Sequence, residues 1–299
     1  MSTENKTFMK EEPRIIYSLD AFPLLNNRWQ VGNKLKETIY MTALSILYSH
    51  LWYKDIELYA DETVYKFLYM LPCKVTKVSN EKNKELWMKS KIHAIEKQTK
   101  PFVHLDTDVF IKNKINFNFE TVILERKECG YEMHYKRQID FFSQYTKQLP
   151  YWHSNLGHAY GCGILGFNDL KLRDNFVNAY YDLEQIYGTH REEFAPLKQQ
   201  GFEPCIVIEQ YNLAAILNYY NVTPTLLLKG QNIIEHGKYA NELGYSHLFG
   251  LKKYKKNITD EIEYRLFKIF PYWYDQIKIE LEKHQILQKE DVNPKIMVA

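Results

Sequence analysis

The chain has 299 residues, a formal net charge of +2, 45% hydrophobic residues and 15% aromatic residues. This composition excludes a disordered or collagen-like chain, because it supplies enough apolar side chains for a core. A near-neutral charge attracts no polyanion, and the sequence contains no zinc-finger or RNA-binding signature, so we expect no nucleic-acid partner. The length fits one large domain or two modest ones.

The sequence carries no signal for a membrane-spanning or exported protein. Its first residues are polar and lack the apolar stretch of a signal peptide. No window has the roughly 18 consecutive apolar residues that a spanning helix requires. Cys73, Cys129, Cys162 and Cys205 form no CxxC pair and no metal-like spacing, which is typical of reduced thiols. We therefore predict a cytoplasmic protein without a transmembrane segment.

Strand and helix patterns alternate in the first part of the chain. Strands that are separated by helices imply right-handed crossovers and a mostly parallel sheet, so the fold class is α/β. A helix N-cap is predicted at Asp61, which precedes the second helix. The predicted strands are 14–19, 56–60, 74–78 and 101–105, and the predicted helices are 34–50, 62–71 and 84–98.

The pattern continues less regularly in the second part of the chain. A long aromatic-rich helical stretch over 260–287 is interrupted at Pro271. We predict one α/β domain over residues 1–256 and a helical C-terminal extension over 257–299 that packs on it. The other predicted elements are strands at 121–126, 161–167 and 223–228, and helices at 168–185 and 208–220.

The strongest local signal is a pair of carboxylates, Asp106 and Asp108, at the end of the apolar strand 101–105. In open α/β sheets, ligands collect at the carboxyl ends of strands. Side chains two positions apart can face the same way there, so both can bind one Mn²⁺ or Mg²⁺ and leave positions open for a diphosphate. Two alternatives stay open. The pair can simply begin a turn, or it can be the DxD of a haloacid-dehalogenase phosphatase, whose pattern has Thr or Val at the position of Phe110.

Four further stretches accompany this DxD in a fixed order. They are Lys91, which lies 15 positions before Asp106, and the segments GCGI at 161–164, EQYNL at 209–213 and HLFGLKKY at 247–254. Together they resemble the metal-dependent glycosyltransferases of the GT-A fold. The match is to the retaining type that includes glycogenin and the lipopolysaccharide α-galactosyltransferases. The resemblance covers most of the chain from Arg14 to Tyr254 and implies a GT-A type fold.

The resemblance also implies a metal centre. Asp106, Asp108 and His247 are the expected ligands of Mn²⁺ or Mg²⁺, because a neutral imidazole can complete a coordination sphere begun by two carboxylates. The expected donor is a nucleotide sugar, UDP-linked. Its diphosphate is expected to be neutralised by Lys91 and Lys253, with Lys252 in reserve, while Gly250 lets the backbone approach the phosphates.

The expected catalytic residues are Asp108, Glu209 and Gln210. In retaining relatives the segment that holds Glu209 and Gln210 lies near the anomeric carbon, whereas in an inverting enzyme Glu209 would be the general base. The chain departs from the family pattern at Gly161, where Asn is usual, and at Glu209, where Asp is usual. Tyr254 follows Lys253 where the family has Pro-Trp. The donor sugar is therefore left open.

The acceptor is also left open, as a glycan, a lipid-linked saccharide, a protein or a small molecule. Aromatic residues at 151–153 and 271–274 are candidates for an acceptor wall or for a peripheral membrane contact, against the alternative that they pack in the core. Two other functions compete with catalytic transfer. One is a non-catalytic nucleotide-sugar-binding or scaffold protein of the same fold, and the other is the phosphohydrolase.

Overall fold

The computed structural model describes residues 12–79 and 82–287. Over these residues the predicted fold class is confirmed, since a mostly parallel sheet of seven strands is flanked by helices. The strands are β1 (Arg14–Leu19), β2 (Ile56–Ala60), β3 (Lys74–Lys77), β4 (Phe102–Leu105), β5 (Val109–Ile111), β6 (Val122–Lys127), β7 (Tyr160–Phe167), β8 (Thr225–Leu226) and β9 (Tyr245–His247).

The helices occur between these strands and after the last of them. A π-helical turn spans Val207–Tyr211 and a 3₁₀ helix spans Gly250–Tyr254. The α-helices are α1 (Phe22–Leu25), α2 (Leu35–His50), α3 (Glu62–Leu68), α4 (Lys89–Glu96), α5 (Tyr131–His134), α6 (Lys136–Phe142), α7 (Leu170–Thr189), α8 (Arg191–Gln199), α9 (Pro204–Ile206), α10 (Asn212–Tyr219), α11 (Ile233–Glu242), α12 (Lys256–Ile269) and α13 (Pro271–Lys283).

The chain divides into two compact units. What we call the N-terminal unit comprises, of the described residues, 14–79, 82–94, 105–115 and 243–287. It contains the parallel strands β3, β2 and β1, in that order, with Ile15 of β1 opposite Ile56 of β2. It also contains the antiparallel pair of β5 and β9.

Helix α2 is the centre of the N-terminal unit. Its side chains are buried on every side, as in a helix that is surrounded by other elements rather than lying on the surface. It packs against α12, α13, α3 and the strands β2 and β5. The predicted N-cap at Asp61 is confirmed, because its carboxylate accepts a hydrogen bond from the Val64 amide at 2.8 Å.

The C-terminal helices α12 and α13 pack on α2 and α3 of the same unit. Pro271 separates them, as predicted, and stands in the first turn of α13, where a missing backbone N–H costs nothing. The domain boundary after residue 256 stays a prediction.

The aromatic segment at the start of α13 has both exposed and buried members. Tyr272 is exposed, while the Tyr274 ring is buried with its centroid 5.5 Å from that of Tyr40. Among the described helices, none combines the length and the apolar character needed to cross a membrane. The predicted peripheral membrane contact has no support from these features.

What we call the central unit comprises, of the described residues, 12–13, 95–104 and 116–242. Its strands follow the order β4, β7, β6, β8, and β6 runs antiparallel to β7 and parallel to β8. Strand β6 is buried along nearly its whole length, as expected for a strand covered on both faces. Helix α7 is capped by Asp169 and packs its Phe176 ring 5.9 Å from that of Phe167.

Several elements differ from the sequence-based expectation. The predicted helix over 84–98 is α4, which begins only at Lys89, and the helix over 208–220 begins as the π-helical turn. The short strands β5 and β9 were not expected, because three residues give no periodic pattern. Helices α8 and α11 were also not expected; α8 contains Pro196, and α11 exposes Ile233 and Ile234.

Candidate metal centre

Asp106 and Asp108 lie in the tight turn that joins β4 to β5. The turn is closed by a hydrogen bond of 3.0 Å from the Val109 amide to the Asp106 carbonyl. The Asp108 side chain is buried, whereas the Asp106 side chain remains 29% exposed. One carboxylate is therefore enclosed by protein, and the other is open to a ligand from solvent.

Strand pairing brings His247 to this turn although it lies 139 positions after Asp108. In the antiparallel pair of β5 and β9, His247 is directly opposite Val109. The Leu248 amide donates to the Asp108 carbonyl at 3.1 Å, which extends the pairing by one residue. As a result, His247 Nε2 lies 3.4 Å from Asp108 Oδ1.

A glycine makes this pairing possible. Gly244, just before β9, has a φ of +80°, and a Cβ there would lie 2.4 Å from the Cβ of Asn113. The Gly244 carbonyl accepts hydrogen bonds from the amides of Lys112 and Asn113 at 2.8 and 2.9 Å. No other residue type fits both this backbone conformation and this close approach.

The three side chains suit a divalent cation. Asp106, Asp108 and His247 each offer a ligand atom, and these atoms all lie within 4.8 Å of one another. Adjacent ligands of an octahedral ion with bonds of about 2.1 Å are roughly 3.0 Å apart and opposite ligands about 4.2 Å apart. The observed spacing is close to that range, and carboxylate oxygens are ligands that hard divalent cations accept.

Two lysines accompany the carboxylates. Lys91 Nζ lies 2.9 Å from Asp106 Oδ1, and Lys253 Nζ lies 2.6 Å from Asp108 Oδ2. Burial alone would raise the pKa of Asp108, but the charges of Lys253 and His247 outweigh it and hold that pKa well below its usual range. Burial alone would lower the pKa of Lys253, but the Asp108 carboxylate outweighs it and raises that pKa. Asp108 and Lys253 are thus both charged at neutral pH.

The 3₁₀ helix distinguishes between the two candidate lysines. Lys253 reaches Asp108, whereas Lys252 is exposed. The helix begins at Gly250, whose φ of +63° is a conformation that other residues rarely adopt. Sequence reasoning named both lysines and this glycine, but it gave no role to Tyr254, which ends the same helix.

Glu209 and Gln210 lie in the central unit, on the π-helical turn. The Glu209 side chain is buried, and the Gln210 side-chain carbonyl accepts a hydrogen bond from the Tyr135 hydroxyl. π-Helical turns are frequent at functional sites. The predicted role of these two residues near the anomeric carbon remains a prediction.

A second cluster of charges, in the central unit, was not predicted from the sequence. Arg126 donates to Glu125 at 2.6 Å and to Glu128 at 2.7 Å. We call these three residues the central charged cluster. The run of sequence letters ERKE at 125–128 was the available signal.

Comparison with known proteins gives a family and several similar folds. The profile of a family of unknown function (DUF6734) matches residues 25–280. No curated protein matches the chain in sequence. The glycosyltransferase GlyE of Streptococcus pneumoniae is 10% identical, with a TM-score of 0.43 over 95% of this chain. The bifunctional glycosyltransferase WbbM is 10% identical, with a TM-score of 0.47 over 91%.

An active-site mutant of LgtC is 12% identical in sequence, with a TM-score of 0.39. The match covers 79% of this chain and 87% of the LgtC chain. This chain spans 66% of the length of GlyE and 52% of the length of WbbM, which is less than two thirds of each. At such identities and scores, these likenesses establish no activity for this chain.

Proposed function

This chain belongs to the DUF6734 family, a family of unknown function, and we propose that it is a metal-dependent glycosyltransferase. It moves a sugar from a nucleotide-sugar donor, UDP-linked, to an acceptor hydroxyl. One observation carries the proposal. Asp106, Asp108 and His247 place their ligand atoms within 4.8 Å of one another, with Lys91 and Lys253 on the two carboxylates.

These residues would hold Mn²⁺ or Mg²⁺, which when bound supplies Lewis-acid stabilisation of the charge on the departing nucleoside diphosphate. Lys91 and Lys253 keep fixed positive charge at the same place and donate hydrogen bonds to phosphate oxygens. Gly250 leaves the backbone of the 3₁₀ helix without a side chain beside the phosphates. Lys252, on the same helix, would neutralise the diphosphate if Lys253 does not.

For the sugar, we propose that Glu209 and Gln210 act at the anomeric carbon with retention of configuration. They would stabilise positive charge on the ring or accept a hydrogen bond from the acceptor. The configuration of the product by NMR tests this step: an α-linked product from an α-linked donor supports it. A β-linked product contradicts it and assigns Glu209 as the general base of an inverting reaction.

Three further features go with this function. The fold is of the GT-A type, the catalytic domain spans residues 1–256 with the extension over 257–299 packed on it, and the protein acts in the cytoplasm. The acceptor is a glycan, a lipid-linked saccharide, a protein or a small molecule, and screening these four classes with a radiolabelled donor identifies it.

The proposal is tested with a thermal-shift panel of UDP, GDP, CMP, ADP and UMP, each with and without Mn²⁺. A ligand at about 100 times its Kd adds roughly 2.7 kcal/mol, which raises the melting temperature measurably in a chain of this size. We expect a shift with UDP that needs Mn²⁺ and is lost in Asp108→Asn. If no nucleotide shifts the melting temperature in the presence of Mn²⁺, the proposal fails.

The melting-temperature shift, combined with assays of sugar transfer and phosphate release, distinguishes the two competing functions. A Mn²⁺-dependent shift without sugar transfer or donor hydrolysis would identify a nucleotide-sugar-binding scaffold. Release of inorganic phosphate from a generic phosphomonoester, without a shift for any nucleoside diphosphate, would identify a phosphohydrolase.

A further inference from the structure

Helix α2 carries a line of buried hydroxyl groups that the proposed mechanism does not use. Thr38, Thr42, Ser45 and Ser49 are each at most 5% exposed. Their spacing of four, three and four positions places them along one face of the helix. Buried hydroxyls are costly without hydrogen-bond partners, so their partners indicate what this face is for.

The Ser45 hydroxyl holds the strand that follows Asp108. It donates to the carbonyl of Val109, the residue next to Asp108. Just after the helix, Trp52 Nε1 donates to the carbonyl of Ile111 at 3.2 Å, so both ends of β5 are fixed. The backbone from which Asp108 projects is therefore bonded to α2 and its C-terminal turn.

The Thr38 hydroxyl holds the segment that carries Lys253. It shares a hydrogen bond of 3.2 Å with the hydroxyl of Tyr254. The ring of Tyr254 in turn lies beside Lys253, whose Nζ is 5.7 Å from the ring centroid. The 3₁₀ helix is thus tied to α2 at its last residue.

We propose that Thr38 and Ser45 are positioning residues of the metal centre. They lie seven positions apart, or about two turns and 10.5 Å along the helix axis. One rigid helix therefore fixes where the backbones of Asp108 and Lys253 stand relative to each other. The functional consequence, binding of a nucleotide with its metal ion, rests on the proposed function. The hydrogen-bond anchoring itself does not.

The helix supplies its own matched controls. Thr38→Val removes the hydroxyl and keeps the shape, and Thr38→Ser restores the hydroxyl. Thr42→Val makes the same change at an equally buried position whose hydroxyl donates only within the helix, to the Thr38 carbonyl at 2.8 Å. Ser45→Ala is compared with Ser49→Ala, because the Ser49 hydroxyl pairs with that of Tyr17 at 2.6 Å.

Two measurements are made on each variant after its fold is checked by circular dichroism. Hydrogen–deuterium exchange reports the anchoring without any ligand, over residues 250–255 for Thr38 and 108–112 for Ser45. Titration calorimetry with UDP in saturating Mn²⁺ measures the Kd of UDP at the metal centre. Both use the full chain, and neither depends on catalytic turnover.

We expect Thr38→Val to speed exchange over 250–255 and to raise the Kd of UDP about threefold to tenfold, the equivalent of one hydrogen bond. Thr38→Ser and Thr42→Val should remain within about twofold of wild type. Ser45→Ala should speed exchange over 108–112, and Ser49→Ala should not. In a Tyr254→Phe background, Thr38→Val should add little, because both changes remove the same bond.

Equal exchange in Thr38→Val and Thr42→Val would overturn the anchoring. Faster exchange with an unchanged Kd would overturn its role at the site. If the wild-type protein binds no nucleotide with Mn²⁺, the proposed function fails and the positioning role falls with it. The exchange data then still decide whether Thr38 holds the 3₁₀ helix.

Discussion

The metal centre of the N-terminal unit and the central charged cluster both bury charged side chains, but they are assembled in opposite ways. Arg126, Glu125 and Glu128 are near neighbours in sequence, at the end of one strand. Asp108, His247 and Lys253 come from segments that lie up to 145 positions apart. The first set can form wherever β6 forms, whereas the second exists only when the whole N-terminal unit has folded.

This difference fits our proposal that the metal centre serves a ligand, whereas the central charged cluster serves the fold. Burying a charge is costly unless it is paired, so both sets include counter-charges. Only the N-terminal set adds an imidazole and a partly exposed carboxylate at metal-ligand spacing. Damage to the metal centre should therefore impair binding and turnover, and damage to the central charged cluster should impair stability.

The largest effect is expected from Asp108→Asn. The change replaces a negatively charged ligand of the proposed metal centre by a neutral amide, so sugar transfer should fall at least about 100-fold while the circular dichroism spectrum is kept. Asp140→Asn is the control, since the Asp140 carboxylate makes a surface ion pair with Lys136. Transfer within a few-fold of wild type would place the reaction elsewhere.

The next largest effect separates two neighbouring lysines. Lys253→Ala removes a charged hydrogen-bond donor at the diphosphate position and should weaken UDP binding in Mn²⁺ about tenfold or more. Lys252→Ala, at an exposed position, should change the Kd by less than about twofold. Calorimetry measures the Kd of UDP for both variants. Equal Kd values would mean that the contact of Lys253 with Asp108 gives it no special part in binding.

In the central unit, Arg126→Met should affect stability instead. It removes the cation that pairs with the buried Glu125 carboxylate and the partly buried Glu128 carboxylate, and it should lower the free energy of unfolding by about 3 kcal/mol. The Kd of UDP in Mn²⁺ should stay within about twofold of wild type. Lys127→Ala, at the exposed next residue, is the control in urea unfolding. A variant that keeps its stability but has lost UDP binding would contradict the assignment of the central charged cluster to stability.

The smallest effect concerns Glu57, a buried charge of the N-terminal unit outside the metal centre. Burial would raise the pKa of Glu57, but hydrogen bonds from Thr76 and Lys74 and the charge of Arg14 outweigh it and lower that pKa. A lowered pKa gives stability that is present above the pKa of the unfolded chain and is lost as pH falls through the folded one.

Glu57→Gln should therefore cost about 1 kcal/mol at pH 7, and its difference from wild type should shrink below about pH 4. The urea unfolding midpoints of wild type and Glu57→Gln, at pH 7 and below about pH 4, measure this change. A constant difference across that range would show that Glu57 does not gain stability from its charge.

Local sequence patterns were enough for β1, β2, the Asp61 cap and the interruption at Pro271, because each depends on neighbours in the chain. They also indicated the carboxylate pair Asp106 and Asp108, whereas His247 was indicated only by the resemblance to the GT-A glycosyltransferases. The pairing of β5 with β9 has no such local signal, since each strand has only three residues.

The hydrogen bond between Thr38 and Tyr254 joins residues 216 positions apart. In the sequence, Thr38 is one polar residue in an otherwise ordinary helix, and Tyr254 is one of 24 tyrosines. Such contacts depend on how helices pack in three dimensions, so periodicity and composition cannot indicate them.

The most direct test of the metal centre is anomalous diffraction at the manganese edge from crystals grown with Mn²⁺ and UDP. We predict one strong peak within bonding distance of Asp106, Asp108 and His247, with the UDP diphosphate beside Lys253, and no such peak in Asp108→Asn. A manganese peak bound elsewhere, or none at these three side chains, would contradict it.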